Sequence, residues 1–411
     1  MRRSLRALEK KFGPNHVEVA CKLHDLVVVC REKARLGEAE AGALRSLKIF
    51  EEQSGPYDPD VANVLNNLAG VYERRGDYAK AETLYQRSVR IMAKISDGAD
   101  IERLRVQSLT GLAGVYRAQG QYKKSEKLYR QALALAEKSF GPNDLEVSAV
   151  LNNLAVLHKY TGRFSEAGRL YRRALAITEK GLGPDHPEVA TIYHNLGGLE
   201  HSRGRFGRGE PFARRSVEIR QEALGPNHPE VAADMAALAA VLDGQGKYQE
   251  AESLYGRALK IFKRIHGEEH YEIAVNLNNL AALKHAKGEN RKAERLYQKA
   301  LAIKQKLLGA DHPDVAMTLN NFAVFYKSQG KYERAEAMFR PALSIFRKAL
   351  GPRHPKVATC LQNYASLLRA MNRPAEARKL EARAREKKKN KTGSRRRYEA
   401  PRAPRKPRRG I

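Results

Sequence analysis

Nearly the same phrase is written many times in this chain. "DPDVANVLNNLAGVYERRGDYAKAETLY" at 58–85 returns as "HPEVATIYHNLGGLEHSRGRFGRGEPF" at 186–212 and as "HPDVAMTLNNFAVFYKSQGKYERAEAMF" at 312–339. A catalytic motif is normally stated once. A phrase repeated in register is architecture, because each copy can bury its apolar face only against the next. The glycines that open the inter-repeat phrase are Gly13, Gly55, Gly98, Gly141, Gly183, Gly225, Gly267, Gly309 and Gly351, and their steps are 42 residues apart from two of 43. A second series, Gly76, Gly120, Gly162, Gly204, Gly246, Gly288 and Gly330, steps by 44 and then by 42 throughout. The two extra residues fall at "KISDGADIERLR", an irregular joint that also lacks the proline found at most others.

Each copy reads as two helices. In the unit that opens at Gly183, Pro187 takes a first helical position, where its missing N–H is no loss, and Glu188 suits the positive helix end. Helix A runs from there to about Gly204. Helix B runs from about Phe206 to Leu224, with Gly225 at the left-handed C′ position and Pro226 blocking continuation. In the second unit, Leu65, Leu68, Ala69 and Tyr72 form an apolar stripe on helix A, and Ala81, Tyr85, Ser88 and Ile91 form one on helix B. The small Ala69 and Ala81 let the two helices approach closely.

The pattern of a bulky residue, Leu–small and an aromatic in helix A, then Ala, aromatic and small in helix B, resembles the tetratricopeptide repeat. The 42-residue period and the phrases "HPDVA…LNN", "QGKYERAE" and "RALAI" resemble kinesin light chains and related bacterial proteins. The resemblance implies an all-α fold: a right-handed superhelical solenoid of about nine antiparallel helix pairs over residues 13–386, with weaker copies at both ends. Residues 2–13 align with 172–183, so the chain opens partway through a helix B. Residues 1–12 are therefore expected to be a half-repeat cap, or the continuation of a longer solenoid.

Other classes are excluded by what is missing from the sequence. No stretch approaches the roughly 18 uninterrupted apolar residues of a membrane span, so membrane insertion is not expected. Cys21, Cys30 and Cys360 show no CxxC spacing, which argues against a disulfide framework or zinc knuckle and for a reducing, cytoplasmic setting. Six histidines recur at one position, His16, His186, His228, His270, His312 and His354, and tempt a metal reading. At that position the second and fourth units carry Asp58 and Asp144. What His and Asp share is a side-chain acceptor just before a helix, the N-cap role. "HGEEH" at 266–270 matches a metallopeptidase string, yet Gly267 ends a helix inside it, so the two histidines cannot share a helical face. The glycines of "GRFGRGE" fit neither phosphate-loop pattern and are expected in an inter-helix turn. No enzyme and no cofactor is read here.

Function must then lie in what the copies present together. When helix pairs stack, helix A lines the concave face. Three stripes run along it. The first is amide: Asn66, Asn152, Asn278 and Asn320, with Asn67, Asn153, Asn195, Asn279, Asn321 and Asn363 on the shoulder towards the neighbouring unit. The second is small or apolar, typified by Gly70, Gly114, Gly198 and Ala282. The third is mostly basic: Arg31, Arg117, Lys159, Lys327 and Arg369 with His201 and His285, interrupted by Glu73 and Asp243. An amide can pair with the main chain of any extended peptide, small neighbours leave room for it, and a basic row selects carboxylates. In kinesin light chains, Asn at matching positions contacts cargo peptides bearing acidic and aromatic residues, and the resemblance implies a similar mode here. The sixth unit has Ala236 and Ala237 in place of Asn, so one continuous site and two shorter ones are both open.

The expected function is a non-enzymatic scaffold that binds extended, acidic protein segments in its concave groove. From Lys387 the pattern dissolves into a run with twelve Lys and Arg against one Glu, part of a formal net charge of +30. Dense charge with almost no aliphatic residue reads as a disordered basic tail, open to non-specific nucleic-acid binding. Two alternatives follow: a basic nucleic-acid-associated protein that uses tail and solenoid together, and the sensor end of a longer regulatory protein.

Overall fold

The computed structural model describes residues 2–32, 35–75, 77–95, 98–352 and 354–389. Among them are nineteen helices and no strand. A leading helix, Arg2–Phe12, occupies the place of a helix B and packs on the first helix A, Val17–Glu32. Nine A/B pairs follow in chain order, each pair packed on the next. In the unit that opens at Gly183, helix A spans Pro187–Ser202 and helix B spans Phe206–Leu224. Gly225 then turns the chain at φ +80, a conformation that costs an L-residue free energy and glycine none.

The stripes read from the second unit are its core. Leu65, Leu68, Ala69, Ala81, Ser88 and Ile91 are buried, and Tyr72 and Tyr85 nearly so. Burial repeats from unit to unit, and partly buried side chains bridge neighbouring clusters, so the core is one long seam along the solenoid.

The irregular joint has a simple local cause. Helix B of unit 2 (Tyr78–Met92) is short, at 15 residues, and the following helix A (Ala99–Ala118) is long, at 20. Gly98 does not adopt the left-handed turn of its counterparts; it is extended and precedes the long helix. Arg105 secures the crossing by donating to the carbonyl oxygens of Met92, at 2.9 Å, and Ile95.

Two expectations are corrected in detail. Gly207 and Gly209 lie inside helix B, not in the turn, and Gly209 is the point where that helix meets Gly197 of helix A: a Cβ at 209 would stand 3.1 Å from the Gly197 carbonyl oxygen. The last helix, Pro374–Lys389, runs three residues into the segment assigned to the tail. The remainder of that tail, and with it the reading of disorder, lies outside the described residues.

Candidate functional site

The N-cap positions are as the chemistry requires. Nδ1 of His16, His186, His228, His270, His312 and His354 accepts the backbone N–H two residues on, at 3.1–3.3 Å. Asp58 and Asp144 do the same through a carboxylate oxygen at 2.8 Å. His266 and His270 of "HGEEH" stack at 4.0 Å across the loop, and among the described residues no group of three metal-ligating side chains exists.

Helix A of each unit touches helix A of the next, and the B helices of neighbouring units have no comparable contact among the described residues. The A helices therefore form the inner wall of the curve. The amide stripe sits there, and its two rows meet across unit boundaries. Asn195 Nδ2 donates to Asn152 Oδ1 at 2.9 Å, and Asn363 Nδ2 donates to Asn320 Oδ1 at 3.2 Å. Asn66 donates to Ser108 of the next unit, Asn67 contacts His24 of the previous one, and Asn279 bonds Tyr255. Asn278 and Asn320 donate to the oxygens of Asn279 and Asn321 beside them. Asn153 is half-buried next to Asn152. The Oδ1 atoms of Asn66 and Asn278 are buried without a partner among the described residues. Much of the amide stripe thus ties repeat to repeat, and these two acceptors are what it leaves unspent.

The basic row divides. Arg369 is neutralised by Glu381 at 2.9 and 3.0 Å, His285 contacts Ser328 at 2.7 Å, and Lys327 donates to Ser366 one unit on at 2.6 Å. His201 sits beside Lys159, and burial and that charge lower its pKa. Asp243 carries a carboxyl raised by burial. The side chain of Arg31 lies outside the described residues. Lys159 is the outlier. Its Nζ has no acceptor among the described residues, and burial, with the charge of Arg117 added, pushes it down to about 8. The Nε of Arg117 is likewise buried without a partner.

The inner wall does not stay open along its length. Units 7 to 9 return over units 2 to 4, five to six units back along the chain, and touch them through side chains. Arg74 acts on the rings of His266 and His270. Tyr78 stacks on His312 at 6.2 Å and Tyr122 on His354 at 5.3 Å. The buried His354 lies with Nε2 3.1 Å from the Tyr160 carbonyl oxygen; since its Nδ1 accepts the cap, Nε2 carries the proton and donates. The A–B turns of the early units thus meet the N-cap histidines of the late ones. Gly120 lies on the contact, where a Cβ would stand 2.4 Å from the Ala349 carbonyl oxygen.

This return builds a cluster that no linear stripe contains. The ring of Tyr160, 39% exposed, has Arg117, Lys159 and Lys356 within 6 Å of its centroid, at 5.5, 5.9 and 5.4 Å. The pairing of Lys356 with Tyr160 was missed in the sequence because the two are nearly two hundred residues apart. The only linear signal was "HPKVA", a Lys in the first helical turn where the other units carry Glu or Asp. Nearby carboxylates are occupied: Asp314 accepts from the Tyr271 hydroxyl at 2.6 Å, and Glu73 from the Tyr85 hydroxyl at 2.9 Å.

Comparison with known proteins agrees with the architecture. A family model described as tetratricopeptide repeat matches at 18–94, 104–180, 149–208, 188–264, 234–306, 272–347 and 314–390. No curated protein matches. Among solved structures, a Rap protein complexed with Competence and Sporulation Factor is similar with a TM-score of 0.65 at 13% identity, covering 91% of this chain and 98% of that one. BtubC (BKLC) from P. vanneervenii is 25% identical with a TM-score of 0.44, over 58% of this chain and 92% of that one. A putative kinesin light chain from Podosopora anserina is 26% identical with a TM-score of 0.41, over 50% and 96%.

Proposed function

The chain belongs to the tetratricopeptide-repeat family, and on that premise we propose that it is a protein-interaction scaffold whose inner wall takes an extended, acidic segment of a partner protein. The observation that carries this reading is the recurrence of a cation at one position of helix A, Arg117 and Lys159 in successive units and Lys327 four units on, with Lys159 left without a counter-ion among the described residues. A buried cation without an acceptor costs free energy, and an incoming carboxylate removes that cost. The half-buried amide of Asn153, beside the groove, can pair with the main chain of an extended segment, which would set its course without reading its sequence. Asp243 interrupts the row, so the preference for carboxylates belongs to particular units rather than to the whole wall.

The reading is tested with a fluorescein-labelled hexaglutamate peptide and the full chain, by anisotropy at two salt concentrations. Lys327→Glu replaces attraction by repulsion and should weaken binding, with a loss that shrinks as salt rises. Lys260→Glu makes the same charge change on the exposed side of a helix B (Tyr248–His266) and should do little. Equal losses in the two variants would mean that the peptide senses net charge only, and the inner-wall reading would fall.

A further inference from the structure

We propose that Arg117, Lys159 and Lys356, gathered round the ring of Tyr160 where units 7 to 9 return over units 2 to 4, form a single anion subsite for a carboxylate of the bound segment, and that filling it clamps the two turns of the solenoid together. This rests on the acidic-segment reading above and adds a place and a consequence to it.

The geometry argues for a shared ligand. Arg117 and Lys159 come from equivalent positions near the ends of two successive A helices, and Lys356 comes from the first turn of the last helix A, Pro355–Ala370. Three cations on one aromatic ring gain from its negative face, but they repel one another, and the ring offers no full counter-charge. Asp314 is the carboxylate that acts on Lys356, and it also serves Tyr271, Lys304 and His312. Glu73 acts on Arg117 and is tied to Tyr85. Neither reaches Lys159. A carboxylate from outside that settles against the exposed ring of Tyr160 comes within reach of Lys159 and Lys356, with the buried Arg117 adding its charge, and the ring gives the carbon chain that carries it an apolar surface to lie on.

The consequence follows from where the three cations are rooted. Two belong to the early turn and one to the late turn, so in the empty protein their repulsion works across the seam. An anion held by all three converts that repulsion into a shared bond. It binds the closed arrangement better than any opened one, and therefore shifts the population towards closure.

The experiment uses the full chain, the same labelled hexaglutamate, and the variants Lys159→Met, Lys356→Met and Lys260→Met. Met keeps the aliphatic stem, and circular dichroism checks that each variant is folded. The first two should each weaken binding by about tenfold, the scale of a lost charge-assisted contact. Lys260→Met should match the wild type, and Lys356→Arg should restore most of the affinity. Saturating peptide should slow hydrogen exchange at 351–360 in the wild type and not in Lys356→Met. If Lys159→Met and Lys356→Met bind normally while Lys327→Glu does not, the subsite is wrong and the inner-wall reading stands. If none of these changes alters binding, both are wrong. If the Met variants lose stability at the seam with unchanged affinity, the three cations are structural and the proposal is overturned. A dT oligonucleotide that competes with hexaglutamate through the same three residues would overturn the peptide assignment.

Discussion

At the scale of single residues, Lys159 separates two effects that usually move together. Its ammonium is disfavoured by burial and by Arg117, and its folded pKa is pushed down to about 8, below its unfolded value. Between those two values the unfolded chain holds the proton and the folded chain does not, so stability should rise with pH from about 8 upwards. Binding of an acidic peptide runs the other way. The anion needs the protonated lysine, so affinity should be constant below about 8 and fall above it. Among the other groups at the site, desolvation of its hydroxyl raises Tyr160 and burial with Lys159 lowers His201, which moves both away from that window, while burial also lowers Lys356, so it is the comparison with Lys159→Met that isolates Lys159. Hexaglutamate affinity measured from pH 7 to pH 10 should show the fall in the wild type and a flatter profile in Lys159→Met. A wild-type profile as flat as the variant's would remove Lys159 from the site. Arg117, Lys159 and Lys327 could be lined up in the sequence because the 42-residue register puts each at the same position of its own helix A. Lys356 could not be placed with them, because its neighbours are set by the rotation from unit to unit, and no short window of sequence encodes that.

At the scale of helices, most of the architecture could be read directly, for a physical reason: proline at a first turn, a capping acceptor before it and glycine after the last turn are local requirements. What escaped was a staple between successive units. A Glu early in helix B accepts from a polar side chain at the A–B turn of the next unit: Glu126 from Arg163 at 2.7 Å, Glu210 from Lys247 at 2.7 Å, Glu252 from Lys287 at 2.6 Å and Glu336 from Arg373 at 2.8 Å. The fourth unit has Gly168 at this place and lacks the staple. Glu126 is held down to about 2 by its hydrogen bond from Arg163, and Glu210 to about 2 by those from Lys247 and Gln245. Their stabilisation should be complete above the ordinary glutamate range and lost as pH falls towards 2, at roughly 1 kcal/mol or less each, because the pairs are partly exposed. Hydrogen exchange at pH 5 and pH 3 should show the loss first at the boundaries that rely on them. Uniform loss along the chain would argue against it. Packing at this scale is tested by Ala281→Leu. Ala281 is fully buried, so the added carbons should overpack its helix pair by roughly 1–3 kcal/mol. The damage should stay near units 6 to 8 and the side chains of unit 2 that touch them, because coupling passes only between units in contact, and exchange protection in unit 1 should be unchanged.

At the scale of the whole molecule, the question is how firmly the return of units 7 to 9 over units 2 to 4 is held. The contact includes a few ring stacks, Lys356 over the Tyr160 ring, Arg74 beside His266 and His270, one buried histidine hydrogen bond and a close backbone approach at Gly120. The repeat itself supplies a control for it. Gly120 and Gly246 occupy the same turn in units 3 and 6, and both have φ +77, so alanine at either place pays the same left-handed penalty of about 1–2 kcal/mol. Around Gly246 a Cβ would meet nothing within 4 Å, whereas at Gly120 it would meet the Ala349 carbonyl oxygen at 2.4 Å. That oxygen belongs to backbone and cannot rotate away, so Gly120→Ala must move one turn of the solenoid off the other. Small-angle scattering should show a larger radius of gyration for Gly120→Ala than for Gly246→Ala. Exchange at 349–360 should be faster in the former alone, and helical content should be the same in both. Because Lys356 rides on the displaced turn, hexaglutamate affinity should fall in Gly120→Ala and not in Gly246→Ala. Indistinguishable scattering, exchange and affinity in the two variants would mean that the turns do not bear on each other in solution, and the clamp would have nothing to close.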